Sequence, residues 1–199
     1  MKIAFGLKAH SGWAALVALG AERDGLRLVD RCRLALVEPG ETWAKAPYHA
    51  ADGLEPEDAQ ELVTRAIASA RRVAARELGA AAARARAAGH EPAACALLTG
   101  TGMPDWSVAE ILAVHFRMHK AEGELFRDAL ARAAGAQRLP LLAIPEKQLA
   151  AQAERRLRTP AAELARRLAQ LGRAAGPPWA KDQKDAALAA WVALRGTRA

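Results

Sequence analysis

Two aspartates three residues apart, Asp182 and Asp185, open an alanine-rich apolar stretch, Lys181-Asp182-Gln183-Lys184-Asp185-Ala186-Ala187-Leu188-Ala189-Ala190-Trp191. Positions i and i+3 share a helix face, so on a helix both carboxylates point the same way. Two chemistries fit that arrangement. Acids in a first turn are favoured by the positive end of the helix dipole, which makes them capping and dipole residues. Paired hard oxygen donors are also the start of a divalent-cation site, provided a sheet beneath the helix brings further donors to them.

A second group of donors lies in His115-Phe116-Arg117-Met118-His119-Lys120-Ala121-Glu122-Gly123-Glu124. On a continuous helix His115, His119 and Glu122 fall on one face at i, i+4 and i+7, a pattern able to bind zinc or another transition metal. It is not the H-E-x-x-H spacing of zinc proteases, and solvated helix residues are the plain alternative. His119 and Glu122 carry a further expectation: that they stand at the active edge of a sheet and supply a base or a phosphate contact beside Asp185. Lys8, His10 and Ser11 sit at an early turn, where a backbone nest and a cation hold phosphate or an ordinary polar turn is formed. Tyr48 and His49 offer rings for a base or ribose to stack on, or serve as loop anchors. Thr99, followed by Gly100-Thr101-Gly102, gives a weak phosphate-loop pattern without Gly-x-Gly-x-x-Gly or a Walker sequence. Lys181 joins these as a substrate-binding candidate.

The elements that must position these residues follow from pattern. Residues 2–8 read as a strand and 10–12 as a tight turn. Residues 13–19 are an apolar run short enough for a buried strand. Ala21-Glu22-Arg23-Asp24-Gly25 carries the Asp-Gly hairpin signal, and 26–36 alternates as a third strand with one solvated side. The opening is thus an antiparallel three-stranded meander. Residues 37–56 read as a Pro- and Gly-rich linker that also holds Trp43, Tyr48 and His49, with Asp52 or Glu55 as a cap. A long helix spans 57–88 with a break expected at Gly79; Leu62, Val63, Ile67 and Val73 face inward and arginines crowd the remainder. Residues 92–99 read as a central fourth strand. Helix then runs from Asp105 or Ser107 to about 134, with a break expected near Gly123. A fifth strand covers 139–144, closed by Pro145. Helices follow over 146–157 and 161–173, the latter with Thr159-Pro160 as cap and first position, and the Asp182/Asp185 helix comes last. Alternating helices and strands after a meander predict one α/β domain over 1–199, with a mixed five-stranded sheet and helices on both faces.

Composition bounds the function. A chain of 199 residues can bury one sizeable α/β core. The formal charge of +7 and pI near 10 favour polyanionic partners, nucleic acid before anionic membrane. An Arg/Ala-rich proteome would give the same bias without function. Arg155, Arg156, Arg158, Arg166, Arg167 and Arg173, with the arginines of the long helix, form a candidate phosphate-tracking surface or a solvated face. Cys32 and Cys95 are too few and too far apart for a disulfide framework, no apolar run is long enough to span a membrane, and no amino-terminal signal pattern is seen, so a cytoplasmic address is expected.

The element order, ending in Asp-x-x-Asp-Ala on a final helix, resembles the ribonuclease H-like superfamily, and within it the RuvC-type Holliday-junction resolvases. The strand-turn-strand from Ile3-Ala4-Phe5-Gly6-Leu7-Lys8 to Trp13 looks like that family's first hairpin. Leu141-Leu142-Ala143-Ile144-Pro145-Glu146 looks like its fifth strand leading into a helix, and Asp182-Gln183-Lys184-Asp185-Ala186 like its carboxy-terminal acidic motif. The resemblance implies a nuclease in which four acids hold two Mg²⁺ or Mn²⁺ ions that activate water and stabilise the leaving oxygen of a phosphodiester. Asp182 and Asp185 would be metal ligands and catalytic residues, with His119 and Glu122 as helpers. The family's first-strand aspartate falls near Leu7 or Lys8, and its fourth-strand acid near Thr99 or Gly100. None of these is acidic, so the acidic site is diverged or degenerate, and Lys8 brings a positive charge to the metal position. The expectation is therefore a nucleic-acid-binding RuvC-like protein with a diverged metal-dependent phosphodiesterase site or none. One alternative is a non-catalytic nucleic-acid or protein interaction module; another is a nucleotide-phosphate binder of the actin/hexokinase-like type. Expected partners are nucleic acid, DNA or RNA, and a second copy of the chain in a homodimer, but no membrane.

Overall fold

The structure is a computed structural model and describes residues 1–22 and 25–197. Five strands form one sheet in the order β3-β2-β1-β4-β5: β1 Lys2–His10, β2 Trp13–Glu22, β3 Gly25–Ala35, β4 Glu91–Thr99 and β5 Leu141–Pro145. β1, β2 and β3 pair antiparallel; β4 runs parallel to β1, and β5 parallel to β4. The hairpin signal expected at Asp24-Gly25 falls on Arg23 and Asp24, which lie outside the described residues. The helices are α1 Pro47–Ala51, α2 Pro56–Ala87, α3 Val108–Leu112, α4 His115–Ala136, α5 Leu149–Leu157, α6 Ala161–Ala175 and α7 Lys181–Gly196. This is the mixed sheet with helices on both faces that the sequence pattern predicts.

Strand parity assigns the two cores. In β1, Ile3, Phe5 and Leu7 face α2 and α4, while Ala4 and its same-face neighbours Gly6 and Lys8 turn toward α7. β2 and β4 also feed both cores, which is why they read as continuous apolar runs and not as alternating ones. Residues Ala186 to Leu194 of α7 are all buried. A helix apolar on every side belongs inside, and α7 lies between the sheet and the covering layer of α5 and α6. Its alanines let the backbones approach closely. Gly6 sits beneath them, and a Cβ there would run into the Ala186 carbonyl.

Several sequence expectations need correction. Gly79 does not break α2, because Leu78, Ala81 and Ala82 around it are buried against the sheet side and hold the helix continuous. The break before α4 is not at Gly123 but at Val114, whose backbone is extended. Ser107 and Glu110 form a reciprocal capping box that starts α3, and the chain restarts as a helix at His115. Residues 37–56 are not a plain linker: they contain a 3₁₀ turn, Thr42–Lys45, and α1, begun by Pro47 at its first position. Tyr48 and Ala51 of α1 are buried in the α2/α4 core. Residues 146–148 form a 3₁₀ turn before α5, and Pro160 is the N-cap of α6, not its first residue. Cys95 is buried and Cys32 half-buried, and both are free thiols.

Candidate functional site

The parallel strands β1, β4 and β5 end at one rim of the sheet, where open α/β folds place their ligands. Lys8 arrives there on the α7 face of β1, and only 6% of it is exposed. Its ammonium donates to Asp185 Oδ2 at 2.8 Å and to Glu146 Oε1 at 2.9 Å. Asp182 Oδ1 is 3.2 Å away. Glu146 comes directly after β5. Lys181, one turn before Asp185, adds a second ammonium that also reaches Glu146 at 3.4 Å. His10 Nε2 lies 3.2 Å from Asp182 Oδ2, although this buried nitrogen makes no aligned hydrogen bond; the ring stacks on Trp13. Neither aspartate caps α7. Its N-cap is Ala180, whose N–H donates to Gln183 Oε1 at 3.0 Å, so the helix start is served without them.

The electrostatics follow from this packing. Burial works against the charge on Lys8, but its hydrogen bonds to Asp185, Glu146 and Asp182 outweigh burial and hold its pKa above the ordinary lysine value. It stays an ammonium, unable to act as a base. The Lys8 hydrogen bond draws the Glu146 carboxyl below its usual range against an opposing effect of burial, with Lys181 adding to the shift.

The resemblance to metal-dependent nucleases calls for Mg²⁺ or Mn²⁺ among these carboxylates, and the donor set does not fit one. Magnesium needs oxygens at about 2.0–2.1 Å in an octahedral shell. Here the centre the three acids share is filled by a covalently attached cation. A divalent ion would have to enter beside a buried ammonium or expel it.

The remaining candidates fall in different places. Thr99 lines a cavity of about 730 Å³ at the same rim, together with Gly100, Thr101, Pro145, Glu146, Lys147, Gln148 and Lys181. Ser11 is exposed in the β1–β2 turn. Tyr48 is 6% exposed within the core, so its ring has no free face for a base. His49, His115, His119 and Glu122 gather on the other side of the sheet, where α1 meets the start of α4. Glu122 is buried, and its Oε1 accepts from His49 Nδ1 at 2.8 Å and from the His49 N–H at 3.3 Å. Glu122 and His119 therefore do not stand beside Asp185: α4 packs in the core of the sheet face opposite α7. Sequence reasoning missed Glu146 as a partner of the aspartates. An acid immediately after a parallel strand was its one visible signal.

Half of the candidate arginines are engaged in ion pairs. Arg71 pairs with Asp128, Arg72 and Arg76 with Glu38, Arg84 with Asp30, and Arg166 and Arg167 with Glu163. Arg65, Arg86, Arg155, Arg156, Arg158 and Arg173 form no ion pair among the described residues. None of the described helices is long and apolar enough to cross a membrane.

No family model matches the sequence, and no curated protein matches it. Solved structures do. The Thermus thermophilus RuvC structure is 17% identical, with a TM-score of 0.52, over 98% of this chain and 95% of that one. T. thermophilus RuvC in complex with Holliday junction substrate is 15% identical, with a TM-score of 0.53, over 100% of this chain and 96% of that one. The chain thus has, along nearly its whole length, the ribonuclease H-like fold of RuvC.

Proposed function

We propose that this protein binds nucleic acid at the rim of its sheet and does not hydrolyse phosphodiesters at the acid cluster. The observation that carries this reading is the Lys8 ammonium held within 2.8–3.2 Å of Asp185, Glu146 and Asp182. A two-metal hydrolase needs those carboxylates free to take ions that clamp the attacking and leaving oxygens; here they are spent on the chain's own cation. The binding half of the proposal is supported by the net charge of +7, by Lys147 and Lys181 on the rim cavity, and by the fold, which T. thermophilus RuvC uses on a Holliday junction. Phosphate contacts by such cations are sequence-independent and steeply salt-dependent.

The test uses the full chain with branched, single-stranded and RNA–DNA hybrid substrates. Binding is expected to weaken linearly in log–log form with salt, by a slope of about 0.9 per phosphate neutralised on duplex DNA. No cleavage is expected with Mg²⁺ or Mn²⁺. Cleavage that disappears in Asp185→Asn would overturn the non-hydrolytic half, and no binding to any substrate at ~50 mM salt would overturn the other.

A further inference from the structure

Where α1 meets the first turns of α4, four side chains gather that the rim does not use. His115 and His119 stand at i and i+4 on α4, and their Nε2 atoms are 3.1 Å apart. His49 reaches them from α1, with ring centroids 5.1 Å from His115 and 4.5 Å from His119. One ring nitrogen of each histidine lies within 4.8 Å of one from each of the others. Three nitrogens around a tetrahedral ion at ~2.05 Å lie about 3.3 Å from one another. The His115–His119 pair is close to that spacing at 3.1 Å, and the His49 nitrogen, within 4.8 Å of both, would draw in to complete it.

Glu122 gives this cluster its direction. Its buried carboxylate accepts from Nδ1 of His49, which sets the tautomer and leaves Nε2 of His49 as the nitrogen with a free lone pair. A carboxylate behind a histidine is the support that metal-ligating imidazoles usually have, because it orients the ring and raises its basicity. The same oxygen also accepts from the His49 N–H in the first turn of α1, so Glu122, 4% exposed, fixes both the ring and the backbone of this histidine. His115 and His119 are exposed, so the fourth position of a three-histidine set opens to solvent.

We infer that His49, His115 and His119 form a binding site for a borderline divalent transition ion, Zn²⁺ before others, with Glu122 as positioning residue and an open fourth position for water or an anion. Neutral imidazoles suit zinc, copper and nickel; Mg²⁺ and Ca²⁺ prefer hard oxygens. The ion would fasten α1, a helix of five residues, to the start of α4. The inference stands apart from nucleic-acid binding and from the rim.

The test is chelator-treated full-length protein titrated with Zn²⁺, read by bound metal per chain and by thermal shift, with Co²⁺ as the spectroscopic probe. One Zn²⁺ per chain, a rise in melting temperature with Zn²⁺ but not with Mg²⁺, and the intense visible absorption of tetrahedral Co²⁺ are expected. His115→Asn and His119→Asn, both at exposed positions that leave the apo fold intact, should each weaken Zn²⁺ binding by at least tenfold. Glu122→Gln should weaken it ~10–100-fold. Absence of stoichiometric Zn²⁺, or binding unaltered in His119→Asn, would overturn the inference and leave a hydrogen-bonded histidine pair. If Glu122→Gln fails to fold, the two exposed histidine variants decide the matter alone.

Discussion

The two faces of the sheet gather donor groups in opposite ways. On the α7 face, Asp182, Asp185 and Glu146 converge around Lys8, a cation supplied by the chain itself. On the α4 face, His49, His115 and His119 converge with Glu122 behind one of them. The contrast is electrostatic. Carboxylates brought within a few ångströms of one another repel, and here the chain offsets that repulsion with the Lys8 ammonium. Imidazoles can be neutral at the same spacing and need no such partner. This acid cluster is relieved by an internal cation, where others keep a shared proton or a metal, whereas a histidine cluster can stay open to an external ion.

The largest effect that would break this comparison comes from Lys8→Ala. Removing the ammonium leaves three carboxylates facing one another at a partly buried rim, and loss of one member of a buried charge group costs about 3–5 kcal/mol. Chemical denaturation should show a loss of that order. In the variant, Mg²⁺ or Mn²⁺ should restore part of it, because the acids then keep only the exposed Lys181 ammonium; the natural chain should not respond. A loss under ~1 kcal/mol, or an equal gain from Mg²⁺ in both proteins, would mean that Lys8 is not what closes the cluster.

How much of this was readable beforehand depends on the range of the interaction. Apolar runs and alternation are local, so the five strands and a sheet covered on both faces followed from spacing, whereas Lys8 at the acidic site followed only from the family resemblance. The continuity of α2 through Gly79 was not readable, because it is fixed by tertiary burial that outweighs the weak helix preference of glycine. The helix break at Val114 was hidden for a related reason: the apolar spacing continues across it, while the backbone turns extended. His49 lies 66 residues before His115 in the chain. Nothing in its Pro-rich surroundings connects it to Glu122, a pairing made only when α1 docks on α4. Glu146 lies 39 residues before Asp185 and was visible only as an acid following a strand.

A smaller effect sharpens the comparison by taking away one acid. Glu146 has 41% of its side chain exposed, so Glu146→Gln should cost about 1 kcal/mol or less near neutral pH. Its signature is in the pH profile. The folded pKa of Glu146 lies below its ordinary value of 4.5, so its contribution is complete above that value and is lost as pH falls from about 4.5 through the folded pKa. Glu146→Gln should therefore flatten the acid limb of the stability curve. Lys8 behaves in the reverse sense: its folded pKa is raised above 10.5, so its contribution is complete below that pH and disappears as pH rises through the folded value. The alkaline limb should survive in Glu146→Gln, since Asp182 and Asp185 still face the ammonium. An acid limb identical to that of the natural chain would remove Glu146 from the cluster's electrostatics.

The smallest expected effect is a coupling energy near zero. The acid cluster belongs to the core formed with α7 and the histidine cluster to the one formed with α4, on opposite faces of the sheet, and no hydrogen bond or ion pair among the described residues joins the two groups. Changes at sites without shared partners add to within about 0.3–0.5 kcal/mol. In a double-mutant cycle, Glu146→Gln and His119→Asn should then give the sum of their separate stability changes, with and without Zn²⁺. A coupling above ~1 kcal/mol that depends on Zn²⁺ would mean that β1, β2 and β4, the strands shared by both cores, transmit strain between the faces. The internal cation and the histidine site would then be two parts of one device.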